Sequence, residues 1–536
     1  MKCGMQAWPL VVPRLIDHAA RNFGATQIVT LREDGSLDRS NWHDVQRHAK
    51  QLAHALQRYG IRPGDRVATL AWNTRHHLEC LYGIAGVGAI AHTVNPRLFS
   101  EQIVHIINDA EDRILFIDPS FVDLVAALAA QLPTLEMVVI FGSPKEPAGD
   151  MPFPVQDYTT FISAGDVEFP WFEADETAAC GLCYTSGTTG RPKGVLYGHR
   201  STVLHAMAAV APDALHLSAS SCALPVVPMY HANAWGLPYA AALAGAKLVL
   251  AGGHFDPPTL RRLIVEERVT MTAAVPTIWT AMLHHLDKVG ENLGALERVV
   301  IGGSAAPRSM IETFQKRFGI VVAHAWGMTE TSPLGTVASL GHSAQNLTGD
   351  EKLDLLCKQG KPIFGVELEI VSDDGVPKQC DGISFGKLLA RGPWIVDHYF
   401  KQKAHSAIDG AGWFDTGDIA TIDAHAFMQI TDRAKDLIKS GGEWISSIEL
   451  ENAANGCPGV IEAAVIGIPH DKWDERPLLI IVREPGSAIE VLEIIDHLSS
   501  KVAKWWLPER VEFVDALPHT ATGKIDKVSL RKNFAS

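Results

Sequence analysis

The segment "YTSGTTGRPKG" combines hydroxyl side chains, glycines and one lysine in a way that suits phosphate binding. Backbone N–H groups left open by glycine, together with hydroxyls such as that of Thr185, donate hydrogen bonds to phosphate oxygens. Lys193 adds a point charge for the β- and γ-phosphates. The spacing differs from that of the common P-loop, in which four residues separate the first glycine from a Gly-Lys-Ser/Thr run. Composition alone leaves a surface loop as an equally good interpretation.

Four other segments carry side chains that suit a nucleotide and a metal ion. "WGMTETSP" places an aromatic ring beside a glycine and offers Glu330 as a hard oxygen ligand for Mg²⁺. "GWFDTGD" ends in Asp418, whose carboxylate can accept hydrogen bonds from two ribose hydroxyls. "DRAKDLIKSGGEWIS" combines Arg433 with a Gly-Gly turn, and "PHTATGKIDK" presents Lys524 on a tight loop. Because these four segments are present, the surface-loop interpretation of the first segment loses most of its weight.

These five segments, in this order and over nearly the whole chain, resemble the adenylate-forming superfamily. That superfamily contains acyl-CoA synthetases, firefly luciferase and the adenylation domains of peptide synthetases. Residues 225–253, with "IGGSAAP", "AWGMTETSP" and "KSGGEWISSIELEN", are similar to bacterial medium- and long-chain fatty acyl-CoA ligases and 3-(methylthio)propionyl-CoA ligases. The resemblance implies an ATP-dependent acid–CoA ligase. The acid and ATP would first give acyl-AMP and pyrophosphate, and CoA would then give acyl-CoA and AMP.

The resemblance implies ATP, Mg²⁺ and coenzyme A as cofactors, and it assigns roles to individual residues. Trp326 stands where tyrosine is usual in the family, and its indole would stack on adenine as a phenol does. The implied catalytic residues are Lys524, Lys193, Glu330 and His231. The implied metal ligands are Glu330 and Thr185. The implied ATP site comprises Thr185, Ser186, Gly187, Thr188, Thr189, Gly190, Lys193, Ser304, Ala305, Ala306, Trp326, Gly327, Met328, Thr329, Asp418 and Arg433. Within it, Ser304, Ala305 and Ala306 would flank the adenine with Trp326, and Thr329 would meet the α-phosphate with Glu330.

The resemblance also implies which residues meet the acid and the thiol. Trp235 would close or gate an acyl channel, with simple core packing as the alternative, and a core position is equally open for His231. Gly441 and Gly442 would let the pantetheine arm of CoA approach the backbone closely, with a plain turn as the alternative. The implied acyl-binding residues are His231, Trp235, Gly302 and Pro333. The implied CoA-binding residues are Gly441, Gly442, Glu443 and Trp444.

Two domains are expected from the length of the chain and from the resemblance. Short apolar runs such as "RILFID" and "MVVIFG" alternate with helix-like segments such as "SEQIVHIINDA", which predicts α/β layers with parallel strands. The expected large domain of layered α/β sheets comprises residues 1–433. The expected small, mobile α+β domain comprises residues 434–536, with a helix predicted by the apolar spacing from Val491 to Val502. Lys435 is the implied pivot on which the small domain rotates between the two half-reactions.

Composition narrows the class of protein further. The net charge of −14 argues against a nucleic-acid partner, because phosphate backbones require basic patches. No apolar signal-peptide core opens the sequence, and the most apolar segment, "LPYAAALAGAKLVLA", is shorter than the roughly 20 residues of a membrane span. A cytoplasmic location with reduced thiols is therefore expected. Cys180 and Cys183 have the spacing of a metal or redox pair, but a buried strand that leads into the phosphate loop is the preferred interpretation.

Several alternatives stay open at the level of the sequence. The acid is either a medium-chain fatty acid or 3-(methylthio)propionate, and neither the pathway nor a homodimeric state is decided. A luciferase-like oxygenase would share every motif. A catalytically silent nucleotide-binding protein would have lost motif residues, and this alternative is weak because the full set is present, namely Lys193, Glu330, Asp418, Arg433 and Lys524.

Overall fold

The computed structural model describes residues 4–142, 151–185, 191–433, 435–440, 443–470, 472–520 and 525–534. Within these ranges the strands form four sheets, three of them before residue 434 and one after it. The two largest sheets are mainly parallel and are covered by helices, so the predicted α/β layers are confirmed. None of the helices in the described ranges is long and apolar enough to cross a membrane.

One large sheet, with seven strands in the described part of the chain, carries the predicted phosphate loop. Strands such as Ile114–Ile117 are buried at every position, as expected for parallel strands with both faces covered. The last two strands pair antiparallel, with Tyr184 opposite Gly194, so the loop connects two adjacent strand ends. Cys180 and Cys183 are buried in one of these strands, which confirms the preferred interpretation of that pair. In spatial order the strands are Val155–Asp157, Met137–Ile140, Ile114–Ile117, Arg66–Leu70, Ile90–Thr93, Ala179–Tyr184 and Gly194–Gly198.

The other large sheet has nine strands among the described residues and carries the predicted adenine segments. Arg298–Ile301 and Val321–Gly327 pair in parallel, so both strands deliver the segments that follow them to the same edge of the sheet. In spatial order the strands are Lys361–Pro362, Leu334–Val337, Val321–Gly327, Arg298–Ile301, Met271–Ala274, Cys222–Pro225, Lys247–Leu250, Gln27–Leu31 and Leu37–Asn41.

The helices are bounded by local signals that the sequence contains. Trp42–Tyr59, for example, begins where the Asn41 side chain accepts a hydrogen bond from the N–H of Asp44, and it ends at Gly60, whose φ is 100°. The other α-helices of the N-terminal part are Pro13–Phe23, Arg75–Gly86, Ser100–Ala110, Val122–Leu128, Tyr158–Ser163, His199–Ala209, Leu237–Ala244, Pro257–Glu266, Pro276–Val289, Arg308–Phe318 and Gly349–Cys357. Short 3₁₀ turns cover Pro119–Phe121, Ala129–Gln131, Thr329–Thr331, His342–Ala344 and Lys504–Trp506.

A four-stranded antiparallel sheet, counted over the described residues, follows the two large sheets along the chain. The sequence did not predict this sheet. It places Asp418 directly opposite Arg433 on neighbouring strands, and so brings two of the predicted nucleotide residues together. In order the strands are Glu367–Val371, Phe385–Arg391, Phe414–Ile422 and Met428–Arg433.

The C-terminal residues form a separate sheet with its own apolar core. The helix Val491–Ser499 buries Ile494 and Leu498, as the spacing predicts, but it ends before Val502. The domain boundary after Arg433 stays a prediction. The strands of this part are Ile438–Ser440, Glu443–Ile445, Val460–His470, Asp474–Arg483 and Arg510–Val514, and the helices are Ser447–Asn455, Val491–Ser499 and Lys527–Phe534.

Candidate active site

The two ends of the phosphate loop are tied to each other. The N–H of Thr185 donates to the carbonyl of Lys193 at 2.9 Å, and the N–H of Lys193 donates to Thr185 Oγ1 at 3.3 Å. Lys193 therefore starts from a fixed backbone position, although its side chain is exposed. The intervening predicted residues lie outside the described part of the chain, so their phosphate contacts stay predictions: Ser186, Gly187, Thr188, Thr189 and Gly190.

Tyr399 contacts both Lys193 of the predicted phosphate loop and Glu330, the predicted metal ligand. Its hydroxyl donates to Glu330 Oε1 at 3.0 Å, and the Lys193 ammonium lies 4.8 Å from the centre of its ring. Sequence reasoning missed Tyr399, because nothing in its immediate neighbourhood, "VDHYFKQ", marks it as functional. The structure thus brings Lys193 and Glu330 together around a side chain that the motifs do not contain.

Glu330 has the chemistry that a magnesium ion requires. It is only 8% exposed, and its burial raises the pKa of the carboxyl, while the Tyr399 hydroxyl partly opposes this rise. One hydrogen bond leaves the carboxylate with further acceptor capacity, since two oxygens offer about four lone-pair sites. Mg²⁺ is usually held by one or two carboxylates together with substrate phosphates, which fits a single buried glutamate beside a phosphate loop.

Asp418 is the centre of the predicted ribose site. It is 2% exposed, its Oδ2 accepts from the Trp326 indole N–H at 2.9 Å, and its Oδ1 pairs with Arg433 Nε at 2.8 Å. Three residues that were predicted separately therefore form one connected group. The indole hydrogen bond is a contact that sequence reasoning did not foresee. Trp326 also packs against Gly335, where a methyl group would lie 2.5 Å from the ring.

The predicted adenine segment is held by a neutral histidine. The N–H of Ala306 donates to His324 Nε2 at 3.2 Å, and His324 Nδ1 lies 3.0 Å from the carbonyl of Cys357. Burial lowers the pKa of His324 to about 4, so the ring is neutral, with its proton on Nδ1. The fixed Ala306 follows directly on Ser304 and Ala305, whose contacts with adenine stay predictions. A single histidine in the apolar run "VVAHAW" was the only signal for this role.

Close backbone packing shapes the segment that ends in Pro333. A methyl group on Gly327 would lie 1.8 Å from the carbonyl oxygen of Pro333, so only glycine fits there. The N–H of Met328 donates to the same carbonyl at 3.2 Å, and the carbonyl of Thr329 accepts from the Tyr197 hydroxyl at 2.9 Å. These contacts fix the backbone on either side of the predicted α-phosphate position.

The segment that contains Trp235 forms a left-handed turn. The φ angles of Ala232, Asn233, Ala234 and Trp235 are 42°, 41°, 49° and 57°, although none of the four is glycine. Left-handed helical backbone costs about 1–2 kcal/mol per residue with a side chain. Backbone strain of this kind concentrates at functional sites.

Trp235 lies against the predicted channel wall. A methyl group on Gly302 would lie 3.1 Å from the indole ring, and one on Gly303 would lie 4.0 Å from it. The structure thus brings Trp235 and Gly302 together, as the sequence predicted for a shared channel. His231 is half-buried, with its N–H bonded to the carbonyl of Pro228 at 3.1 Å, and its chemical role stays a prediction.

The predicted CoA segment and the predicted catalytic lysine are the least described parts of the site. Gly441, Gly442 and Lys524 lie outside the described residues. Glu443 and Trp444 belong to the strand Glu443–Ile445, whose backbone pairs with Ile438–Ser440. The roles of these residues stay predictions.

Contacts bracket the predicted pivot, Lys435. The N–H of Ser447 donates to Asp432 Oδ2 at 2.7 Å, on the N-terminal side of the pivot. On the other side, the Arg531 guanidinium pairs with Asp436 at 2.7 Å and reaches the carbonyl of Lys435 at 3.4 Å. The chain on both sides of Lys435 is therefore bonded to helices of the C-terminal part, Ser447–Asn455 and Lys527–Phe534.

Replacing Lys435 with proline is expected to block the second half-reaction selectively. Proline fixes φ near −65° and so stiffens a pivot that must change conformation. ATP–pyrophosphate exchange should keep its parent rate, whereas CoA-thioester formation should fall. Alanine at the same position is the control, because it removes the side chain without fixing φ. Parent rates for both steps in the proline variant would mean that the pivot lies elsewhere.

Known protein families and individual proteins match this chain over most of its length. The family of AMP-binding enzymes matches residues 16–400, and the AMP-binding enzyme C-terminal domain matches residues 449–524. The chain is 49% identical to a 3-methylmercaptopropionyl-CoA ligase of Ruegeria lacuscaerulensis, over 99% of this chain and 98% of that protein. It is 48% identical to a medium-chain-fatty-acid–CoA ligase of Ectopseudomonas oleovorans, over 98% of this chain and 96% of that protein.

A solved structure shows the same fold over the full length. The anthranilate CoA ligase AuaEII in complex with anthranoyl-AMP matches with a TM-score of 0.86 at 27% identity, over 99% of each chain. The chain therefore belongs to the AMP-binding enzyme family, and it is an AMP-forming acid–thiol ligase that uses ATP, Mg²⁺ and coenzyme A.

Proposed function

We propose that this ligase activates unbranched carboxylic acids of medium length, with 3-(methylthio)propionate as the main rival substrate. The observation that carries the proposal is the position of Trp235, whose large indole lies against the small Gly302. Its neighbours in sequence, Ala234 and Gly236, are also small. An indole in such surroundings acts as a gate or an end-stop for an acyl chain. The names of the two relatives, one for each acid, support both candidates.

The predicted site residues have separate roles in the first half-reaction. Attack of the acid on the α-phosphate brings two anions together, so cationic groups must stabilise the transition state. Lys193 would hold the departing pyrophosphate, and Lys524 would bridge the acid carboxylate and the α-phosphate. Asp418 and Arg433 would orient the ribose. Glu330 would hold Mg²⁺, and the ion would supply positive charge against the phosphates.

The second half-reaction requires a different face of the small domain. A thiol must reach the carbonyl of the acyl-AMP, and Lys524 in its first position would obstruct it. Rotation about Lys435 would withdraw the lysine and present Gly441 and Gly442 to the pantetheine arm. Two glycines suit this role because the backbone can then lie close to the arm.

Replacing Trp235 with alanine is expected to shift the preference towards longer acids and to weaken short ones. Each buried methylene contributes about 0.8 kcal/mol, or roughly fourfold in kcat/KM, until the channel is full. The measurement is kcat/KM for acids from three to eighteen carbons and for 3-(methylthio)propionate, in the parent and in the variant. Trp171→Ala is the control, since it removes another half-buried indole far along the chain. An unchanged rank order in Trp235→Ala would mean that Trp235 is ordinary core.

We infer a cytoplasmic location, where ATP and CoA are supplied and thiols stay reduced. The buried cysteines of the described residues suit this location: burial raises the pKa of the Cys180 thiol to about 12, which keeps it protonated and unreactive. A homodimer also stays a prediction. Light scattering at micromolar protein concentration tests it, and a mass of one chain would contradict it.

A further inference from the structure

We propose that Asn233 is a positioning residue: its side chain holds the left-handed turn of residues 232–235 in place, and thereby directs the Trp235 indole and sets the acid-length preference. This inference rests on the proposed function of Trp235 as the gate or end-stop of the acyl channel. It concerns a residue that lies beside the acid site and does not contact the reacting atoms.

The Asn233 amide connects the turn to three surrounding elements. The side chain is buried, with the residue 5% exposed. Its Nδ2 donates to the carbonyl of Met229 at 3.2 Å and reaches Thr93 Oγ1 at 3.5 Å. Its Oδ1 accepts from the Tyr239 hydroxyl at 3.3 Å. One side chain therefore joins the segment before the turn, the strand that ends at Thr93, and the helix after the turn.

The turn needs these side-chain contacts because its backbone conformation is unfavourable. Its backbone hydrogen bonds involve two N–H groups: that of Ala234 donates to the carbonyls of Pro228 at 3.1 Å and His231 at 3.2 Å, and that of Gly236 donates to the carbonyl of Asn233 at 2.9 Å and also contacts that of Ala234. Asparagine tolerates positive φ better than alanine or tryptophan does. Asn233 thus suits the turn in conformation as well as in its contacts.

Gly236, directly after the turn, packs closely against His205. A methyl group on Gly236 would lie 2.5 Å from His205 Cε1. Burial lowers the pKa of His205 to about 4, and its neutral ring accepts from the N–H of Leu334 at 3.2 Å, directly after the predicted channel residue Pro333. Because His205 restricts Gly236 and the Asn233 contacts hold the residues before it, loss of the Asn233 contacts frees the turn while Gly236 stays restricted. Trp235, the last residue of the turn, moves with it.

Two tyrosines offer a matched pair of variants. Tyr239 and Tyr82 are both buried, and their rings meet edge to face with centroids 5.9 Å apart. The Tyr239 hydroxyl reaches Asn233, whereas the Tyr82 hydroxyl donates to the carbonyl of Pro238 at 3.0 Å. Phenylalanine at either position removes one buried hydroxyl at the same cost in packing. Only Tyr239→Phe removes a contact of the proposed positioning residue.

The experiment measures kcat/KM over the acid series for Asn233→Gly, Tyr239→Phe and Tyr82→Phe, each alone and combined with Trp235→Ala. Glycine is chosen at 233 because it keeps the left-handed backbone accessible and so preserves folding. Asn233→Gly and Tyr239→Phe are expected to reduce the ratio of kcat/KM between the best and the shortest acid by about fivefold, the loss expected for one buried hydrogen bond. The KM for ATP should not change. Tyr82→Phe should leave the ratio at its parent value.

The combined variants separate this inference from the proposed function. If Asn233 acts through Trp235, neither Asn233→Gly nor Tyr239→Phe changes the ratio further once Trp235 is alanine. A parent ratio in Asn233→Gly and Tyr239→Phe, while Trp235→Ala shifts the preference, would overturn the inference and leave the proposed function intact. An equal change with and without the indole would also overturn it, because Asn233 would then act on the acid by another route. No shift in Trp235→Ala itself would overturn both.

Discussion

Replacing Lys524 with alanine is expected to lower the rate of adenylation by about 10²–10³ while thioester formation from supplied acyl-AMP stays near the parent rate. The first half-reaction joins a carboxylate to an α-phosphate, so one preorganised ammonium between them stabilises the transition state directly. The second half-reaction attacks a neutral carbonyl and needs no charge at that position. ATP–pyrophosphate exchange measures the first step, and conversion of acyl-AMP with CoA measures the second.

The control for this prediction is another lysine of the C-terminal part. Lys501 is exposed, so its replacement with alanine should leave both half-reactions unchanged. If Lys524→Ala slows both half-reactions equally, the lysine has a general role in binding or folding. The assignment of Lys524 to the adenylation step would then be wrong.

Replacing Glu330 with glutamine is expected to lower adenylation by about 10² or more and to raise the Mg²⁺ concentration needed for half-maximal rate, because a charged metal ligand becomes neutral. Glutamine keeps the size of the side chain and a carbonyl that can still accept from Tyr399. Tyr399→Phe is the milder companion variant. It removes one hydrogen bond to the carboxylate, so a loss of about tenfold is expected. A parent Mg²⁺ dependence in Glu330→Gln would contradict the metal role.

The pH dependence of adenylation provides a second test of the metal-binding role of Glu330. Burial raises the pKa of its carboxyl above that of an ordinary glutamate, and only the ionised form binds Mg²⁺. As the pH falls, ATP–pyrophosphate exchange at subsaturating Mg²⁺ should therefore begin to decline at a higher pH than it would with an ordinary glutamate. The Tyr399 hydroxyl lowers the pKa of Glu330, so Tyr399→Phe should move this decline to still higher pH. Glu330→Gln should lack it.

The thermal stability of Glu330→Gln shows whether its loss of activity comes from a lost function or from unfolding. Since the folded-state pKa of Glu330 is raised, the folded protein binds the proton more tightly than the unfolded chain does between the two pKa values. Stability therefore falls as pH rises through that window, and at neutral pH the buried carboxylate is a cost. Glu330→Gln removes this cost, so its unfolding temperature at neutral pH should equal or exceed that of the parent.

The motifs could be used to predict candidate nucleotide residues because each motif is contiguous in sequence, and the nucleotide contacts themselves stay predictions. The contacts that join the motifs were not predictable in the same way. Tyr399 and Glu330 are 69 positions apart, and only the folded chain brings the phenol to the carboxylate. Trp326 was expected to stack on adenine, but the sequence gives no sign that its N–H reaches Asp418, 92 positions away.

Secondary structure was predictable where the local sequence determines it, and was not predictable where tertiary contacts determine it. Parallel strands such as Ile114–Ile117 were predictable because they are continuous apolar runs. Glu367–Val371, at the edge of the antiparallel sheet, has no regular alternation of buried and exposed side chains, so that sheet escaped notice. The left-handed turn around Trp235 was not predictable either, because no glycine marks it and tertiary contacts impose it.

The pairing of Arg433 with Asp418 has a consequence for the release of product. Arg433 pairs with the carboxylate of Asp418, the predicted ribose ligand, and stands two residues before the predicted pivot Lys435. If both predictions hold, nucleotide binding and domain orientation depend on one side chain. Such sites are thermodynamically linked: a nucleotide that favours one orientation by a given factor is bound more tightly in that orientation by the same factor. The predicted rotation that admits CoA would then also change the affinity for AMP. The rate of turnover and the rate of nucleotide release would then depend on the same rotation. An enzyme that cannot rotate about Lys435 would retain its nucleotide.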